Sequence, residues 1–162
     1  MKHYLSALAI AAVLLCQTPL AVAGRSCEAP KPPSTQTIIK GLELAEKTWQ
    51  ALEKDFAQRG TQVVVLARAG QDLSKYRLTY SHLGWAYRQP NGQWLVAHKL
   101  NTCGTATAQL YRHGLGEFFL DDLFRYEAAW VVPTRQVQDM MLPALRDTTR
   151  LQSLHNPNYN MV

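Results

Sequence analysis

Two histidines and a cysteine in the segment Tyr80–Cys103 are the residues of this chain best suited to chemistry. The segment reads as one β-hairpin: His82 begins the first strand, His98 lies in the second, and Cys103 follows its end. An imidazole base, a polar group that orients it and a thiol nucleophile are the parts of a cysteine hydrolase. A disulfide and two half-exposed strand histidines would have the same pattern, so the sequence leaves both interpretations open.

The length of the hairpin loop decides whether the two histidines share a face of the sheet. A two-residue loop would place them on opposite faces. A three-residue loop that begins at Pro90 makes Gly84 oppose His98, with His82 as the diagonal neighbour of His98. Pro90 suits the first central position of a type I turn, and Gly92 suits the left-handed position after it. We therefore predict the three-residue loop, with His82 as the base and His98 as its orienting partner.

Residues 1–23 have the three-part pattern of a secretory signal peptide. A basic start precedes an apolar run from Leu5 to Leu15, and Ala21-Val22-Ala23 precedes the expected cleavage site. The run is shorter than the roughly 20 residues that cross a bilayer as a helix, so we expect no transmembrane segment in the mature chain. We predict an exported, periplasmic protein with a Pro-rich leader at 24–34 and a single domain at 35–162.

Cys27 and Cys103 are the two cysteines that remain after the predicted cleavage. In an oxidising compartment an isolated pair is usually a disulfide, and we favour a Cys27–Cys103 bridge. The alternative makes Cys103 a nucleophile, because the segment Thr105–His113 has a helical pattern and a helix N-terminus favours the thiolate. One sulfur atom cannot serve in both roles.

Composition and motifs argue against several partners and cofactors. The formal net charge is +5, but the charges are scattered without a basic cluster, so we expect no nucleic-acid partner. The chain has no glycine-rich phosphate loop and no zinc-type cysteine pairs, and we predict no cofactor. The set that a metal would use, His82, His98 and Asp72, lacks short ligand spacing, so we predict no metal site.

The elements that position these residues follow from periodicity. We predict a helix at 35–58, a strand at 62–68, the hairpin, a helix at 105–113, a loop at 114–116, a strand at 125–132 and a helix at 134–146. In the first helix an apolar stripe is expected to face the core: Ile38, Leu42, Ala45, Trp49, Leu52 and Phe56. His113 and His155 are expected at the surface, and the segment 155–162 reads as a turn that leads into another strand. The fold class is α+β, with an antiparallel sheet packed against a long N-terminal helix.

Four sequence blocks carry a family resemblance: residues 67–88, 94–106, 114–133 and 154–162. Together they resemble the bacterial domain-of-unknown-function family 2145, which has no established activity. Members of that family typically continue beyond the point where Val162 stands. The resemblance therefore implies a domain that is truncated at its C-terminus.

The strand that begins Ser81-His82-Leu83-Gly84 is more distantly similar to the histidine strand of circularly permuted papain-like amidases of the bacterial envelope. This similarity implies a papain-like half-barrel, His82 as the base, His98 as the polar third member, and a nucleophile after Val162. It implies hydrolysis or transfer of an amide or ester acyl group, with peptidoglycan or lipid as the substrate. The rival hypothesis is a non-catalytic, disulfide-tied periplasmic protein that binds a partner.

Overall fold

The structure is a computed structural model that describes residues 31–158. The predicted signal peptide, most of the leader, Cys27 and residues 159–162 lie outside the described residues. The elements in chain order are α1 (Thr35–Arg59), β1 (Val63–Ala69), a short 3-10 turn (Ser74–Tyr76), β2 (His82–Arg88), β3 (Trp94–Asn101), β4 (Ala108–Gly114), α2 (Leu115–Phe119), β5 (Arg125–Val131), α3 (Arg135–Arg146) and α4 (Thr148–Ser153).

Helix α1 has the ends that its sequence predicts. The Ser34 hydroxyl accepts from the backbone N–H of Thr37 at 3.1 Å, which caps the N-terminus. Gly60 adopts a left-handed φ of 67° and donates its N–H to the carbonyl of Phe56, which closes the C-terminus. The predicted helix is therefore confirmed to within one residue at its C-terminus.

The buried face of α1 differs from the predicted stripe. The buried residues are Gly41, Ala45, Thr48, Leu52 and Asp55, while Ile38, Leu42 and Trp49 are exposed. The reason is close packing against α2, because a Cβ on Gly41 would lie 2.8 Å from the carbonyl oxygen of Phe119. Small residues let the two helices approach, so that Ile38, Leu42 and Trp49 turn outward while Ala45 and Leu52 of the predicted stripe are buried.

The five strands form one antiparallel sheet in the order β4-β3-β2-β1-β5. In the central hairpin, Trp85 pairs with Ala97 and Arg88 pairs with Trp94. The N–H of Gln89 donates to the carbonyl of Gln93 at 2.7 Å, and Gly92 has a φ of 87°. The three-residue loop and its register are confirmed.

Helices cover both faces of the sheet. On one face, α1 and α2 pack on a cluster that includes Leu66, Val96 and the fully buried Phe118. On the other face, α3 and α4 pack on a second cluster that includes Tyr87 and Leu145. This arrangement confirms the α+β class, while the papain-like half-barrel stays a prediction.

One carboxylate ties α1 to the hairpin. Glu53 accepts two hydrogen bonds of 2.9 Å from the Arg88 guanidinium and one of 2.6 Å from the indole N–H of Trp94. The Arg88 hydrogen bond is the main reason that the pKa of Glu53 lies below its ordinary value. The long helix is therefore held in register with the strands that carry the histidines.

The predicted helix at 105–113 is wrong. Residues Ala108–Gly114 form β4. This strand pairs antiparallel with β3, so that Ala108 lies opposite Asn101 and Gly114 lies opposite Leu95. The backbone hydrogen bonds offered by the outer edge of β3 outweigh the local helical pattern, because propensity is a weak preference that tertiary pairing overrides. The predicted loop at 114–116 is also wrong, since α2 begins at Leu115 and buries Leu115, Phe118 and Phe119.

The remaining C-terminal elements agree with the sequence. Strand β5 and helix α3 lie where they were predicted, and Pro143 lies within α3, whose N-cap is Thr134. Asn158 forms a single antiparallel bridge with Thr107 at the predicted final turn. Within residues 31–158, no helix has the length and apolar character needed to cross a membrane.

Candidate histidine site

Three histidines from adjacent strands form a row on the sheet face that α1 and α2 cover. His82 begins β2, His98 lies in the middle of β3, and His113 lies in β4 opposite Val96. Since side chains alternate between faces along a strand, His113 lies on the same face as His98 and diagonal to it. The register therefore places the three imidazoles side by side.

The rings contact one another through ring nitrogens in one continuous series. Nε2 of His82 lies 2.8 Å from Nδ1 of His98, and Nε2 of His98 lies 3.0 Å from Nδ1 of His113. Nε2 of His113 then lies 3.2 Å from Oε1 of Glu117 on α2. The predicted shared face of His82 and His98 is confirmed, and the structure adds His113 and Glu117 to the pair.

Aromatic rings pack around the central imidazole. The Phe118 ring centroid lies 5.2 Å from that of His98 and 5.8 Å from that of His82. The Tyr111 ring, which lies opposite His98 in the β3–β4 register, has its centroid 6.3 Å from that of His98. His98 is only 4 % exposed, so the centre of the row is shielded from water.

Gly84 lets β2 and β3 approach closely beneath the row. A Cβ at this position would lie 2.5 Å from Cγ1 of Val96 and 3.0 Å from Cβ of His98. No real side chain tolerates such distances without displacement of its neighbours. The absence of a side chain at Gly84 therefore sets the spacing between the strands that carry His82 and His98.

A buried ion pair borders the row on its β1 side. Arg68 pairs with His82 in the β1–β2 register. Its guanidinium donates to the carbonyl oxygen of Phe118 and, at 2.7 Å, to Oδ2 of Asp121, and it lies over the Phe118 ring at 4.8 Å. Pairing and hydrogen bonding are what make a buried guanidinium tolerable, and the Arg68 cation of this pair lies beside the His82 end.

The central histidine is neutral over the physiological pH range. The pKa of His98 is lowered to about 3, mainly by burial and also by the neighbouring His82, His113 and Arg68. Only Asp121 acts in the opposite direction. A neutral imidazole has one N–H donor and one acceptor nitrogen, so His98 donates to one neighbouring ring and accepts from the other.

The spacing of the ring nitrogens is that of hydrogen bonds and not of shared metal ligands. Two nitrogens bound to one tetrahedral zinc, each at about 2.0–2.1 Å from it, would lie about 3.4 Å apart. Asp72 lies in the loop after β1, where its carboxylate accepts from the N–H of Ser74 at 2.9 Å. Across residues 31–158, no group of three or more histidine, cysteine or acidic side chains is arranged to hold a metal ion.

Cys103 lies in the exposed turn between β3 and β4. Because the residues after it form a strand, the argument that a helix N-terminus activates its thiol is wrong. Cys27 lies outside the described residues, so the Cys27–Cys103 disulfide stays a prediction.

The expectation that His113 and His155 lie at the surface is wrong. The His113 side chain is 17 % exposed and contacts His98, while Nε2 of His155 lies 3.0 Å from the carbonyl oxygen of Ala108. The predicted helix at 105–113 concealed this role of His113. The signal that reveals it is the two-residue alternation that places Tyr111 and His113 on one face of a strand.

A groove of about 720 Å³ lies between α1 and the β2–β3 loop. Its lining includes Leu42 and Trp49, two of the α1 residues that the predicted stripe had placed in the core. Gly114, which follows His113, and Leu115 form part of the same lining. The exposed apolar residues of α1 therefore border an open cleft on the histidine face of the sheet.

The fold and the site define an α+β protein whose sheet carries a hydrogen-bonded row of three histidines with a buried centre. The chain belongs to the bacterial family described as "Uncharacterized protein conserved in bacteria (DUF2145)", whose model matches residues 55–162. The matched range contains His82, His98, His113 and Glu117, and it confirms the predicted family. No curated protein and no solved structure matches the chain. The more distant papain-like similarity stays a prediction.

Proposed function

We propose that this chain carries the general base of an exported bacterial enzyme that hydrolyses or transfers acyl groups of amides or esters. The observation that carries the proposal is the 2.8 Å contact between Nε2 of His82 and Nδ1 of His98. A buried, neutral His98 orients the His82 ring as the third member of a catalytic triad orients the catalytic histidine. Because Nε2 of His82 is held by His98, a proton that His82 takes from a nucleophile is taken at Nδ1.

The relative burial of the two rings supports these roles. His82 is half-buried at the start of β2, whereas His98 is buried beneath Phe118. A reacting group therefore meets His82 first, and His98 acts through it. The papain-like resemblance implies a nucleophile after Val162.

The proposal includes a location and a class of substrate. The signal-peptide pattern of residues 1–23 supports export to the periplasm, where peptidoglycan and envelope lipids are the abundant amides and esters. The groove beside α1, with Leu42, Trp49 and Leu115 in its lining, suits a substrate that has an apolar part.

A substrate panel with matched histidine variants tests the base. The purified, exported protein would be incubated with muropeptides and with p-nitrophenyl acyl esters, and the products followed by mass spectrometry and absorbance. His82→Gln is expected to lower turnover by about 10²–10⁴-fold, the usual contribution of a general base. The matched control His155→Gln removes an imidazole that contacts the Ala108 carbonyl, away from the row, and is expected to keep the activity. Full activity in His82→Gln would overturn the proposal, and so would the absence of turnover of any substrate by a family member that continues beyond the position of Val162.

The rival function is a non-catalytic envelope protein in which the histidines only hold β2, β3 and β4 together. The burial of His98 and the complete burial of Phe118 favour this reading, because such packing is typical of a structural core. Urea denaturation of the same variants separates the two functions. A folded but inactive His82→Gln protein supports the base, and an activity loss that matches the unfolded fraction supports the structural role.

A further inference from the structure

The histidine row has a direction that its end group determines. Each link joins Nε2 of one ring to Nδ1 of the next, from His82 through His98 to His113. The last nitrogen, Nε2 of His113, faces the carboxylate of Glu117 at 3.2 Å. An ionised carboxylate only accepts hydrogen bonds, so Nε2 of His113 must carry a hydrogen.

One hydrogen at this end fixes the position of all the others when the three rings are neutral. With a hydrogen on Nε2, the Nδ1 of His113 is an acceptor, so the hydrogen between His98 and His113 belongs to Nε2 of His98. The same step repeats at His82, whose Nε2 carries the hydrogen shared with His98. All three rings are then Nε2–H tautomers, and Nδ1 of His82 carries the lone pair that a base requires.

The opposite arrangement is disfavoured by the same contacts. If each ring carried its hydrogen on Nδ1, the lone pair on Nε2 of His113 would face the Glu117 carboxylate. Two acceptors at 3.2 Å repel one another unless Glu117 is protonated. Glu117 therefore acts on His82 through two intervening rings, without touching it.

The charges around the histidine row favour an added proton at its His113–Glu117 end rather than on His98 at its centre. His98 is faced by His82 and His113 in the row, by Arg68 and Asp121 on its β1 side, and by Phe118 and Tyr111. Burial and the Arg68 cation oppose a charged ring there, as the direction of the His98 pKa shows. At the other end the Glu117 side chain is 64 % exposed, so its carboxylate meets solvent and can share an added proton with His113.

We propose that His113 and Glu117 extend the His82–His98 pair into a directional proton relay, with Glu117 as the positioning residue that sets the tautomer of every ring. When Nδ1 of His82 takes one proton, its Nε2 hydrogen passes to Nδ1 of His98. The Nε2 hydrogen of His98 passes to Nδ1 of His113, and that of His113 passes to the carboxylate of Glu117. One proton enters, one proton comes to rest on the His113–Glu117 pair, and His82 and His98 stay neutral. The catalytic use of the relay rests on the proposed function, whereas its hydrogen positions do not.

Nitrogen NMR of the full chain tests the relay without any substrate. Histidine-selective ¹⁵N labelling and long-range ¹H–¹⁵N correlation above neutral pH distinguish a protonated ring nitrogen from one that carries a lone pair. Single histidine-to-glutamine variants assign the spectra. The expected result is a pyrrole-type shift for Nε2 and a pyridine-type shift for Nδ1 in all three rings. An Nδ1–H tautomer on His82 or His98 in the unmodified chain would overturn the relay.

Substitution of the end group tests its control over the row. Glu117→Ala is expected to shift His113 toward a mixture of tautomers, and to move the His98 and His82 nitrogen shifts in the same direction. Glu127→Ala is the matched control, because Glu127 is a partly exposed glutamate on β5 that pairs with Arg125. Unchanged His82 and His98 tautomers in Glu117→Ala would overturn the relay.

The NMR and turnover results are separable. Nε2–H tautomers that depend on Glu117, in a family member that continues beyond the position of Val162 and turns over no substrate, would support the relay and refute the proposed base. Turnover that needs His82 in a protein with Nδ1–H rings would refute the relay and leave the base intact.

Discussion

We predict that acid lowers the free energy of unfolding, because the imidazole of His98 is buried. The pKa of His98 is lowered to about 3 in the folded protein, mainly by burial, from an ordinary value of 6.5. Between these two values the unfolded chain binds a proton at His98 and the folded chain does not. By linkage, the free energy of unfolding then rises with pH over this window, and the contribution of His98 is lost progressively as pH falls below 6.5.

The size of the effect follows from the difference between the two pKa values. One pH unit corresponds to about 1.4 kcal/mol for a single group, and about two units separate pH 4.5 from the unfolded value. His98 alone is therefore expected to lower the free energy of unfolding by about 3 kcal/mol between pH 8 and pH 4.5. Marginal stability makes this a large fraction of the total, which is about 5–15 kcal/mol for a typical domain.

Urea denaturation of the unmodified chain and of His98→Gln, each at pH 8 and at pH 4.5, measures the effect. The quantity compared is the loss of unfolding free energy between the two pH values in each protein. His98→Gln replaces the imidazole with a side chain that does not titrate, so the pH-dependent loss in the variant should be smaller than in the unmodified chain by about 3 kcal/mol. The subtraction removes the contributions of the other groups. If the two proteins lose equal stability between these pH values, the reasoning about His98 is refuted. If the variant does not fold, the NMR titration of His98 in the unmodified chain decides instead, and a midpoint near the ordinary value refutes it.

Two substitutions test the packing that supports the row. Gly84→Ala is expected to destabilise the fold by about 1–3 kcal/mol or more, because the new methyl would lie 2.5 Å from Val96 and 3.0 Å from His98. Gly114→Ala, where a Cβ would meet nothing within 4 Å, is its control in urea denaturation, and equal losses in both variants would contradict the packing argument. Gln138→Leu is expected to cost about 2–4 kcal/mol, because the Gln138 amide oxygen accepts from two backbone amides at the start of β1. Hydrogen exchange of those amides should accelerate, and unchanged exchange would argue against this role.

The sequence alone predicted those features of the site that depend on neighbouring residues along the chain. Pro90 and Gly92 suit only certain turn positions, and alternation along a strand then decides which side chains share a face. The register of the hairpin, and with it the pairing of His82 and His98, was therefore predictable from a few neighbouring residues. The limits of α1 were predictable for a similar reason, because Ser34 and Gly60 cap it through contacts within one turn.

The burial of α1 was less predictable, because periodicity alone does not measure the space available to each side chain. The stripe of large apolar residues has helical spacing, yet Leu42 and Trp49 are exposed. The choice of buried face depends on α2, whose backbone at Phe119 comes close to Gly41. Residues almost 80 positions apart decide that contact, and a window of one helix contains no trace of it.

The sequence by itself determined the family, the α+β class and the two central histidines, since these follow from motifs, periodicity and turn chemistry. Only the tertiary structure decided that 108–114 is a strand, because its backbone pairs with the open edge of β3 and overrides a local helical pattern. That pairing brings His113 beside His98 and leads the chain into α2, where Glu117 meets the row. The relay depends on a contact between strands, and local propensity carries no information about it.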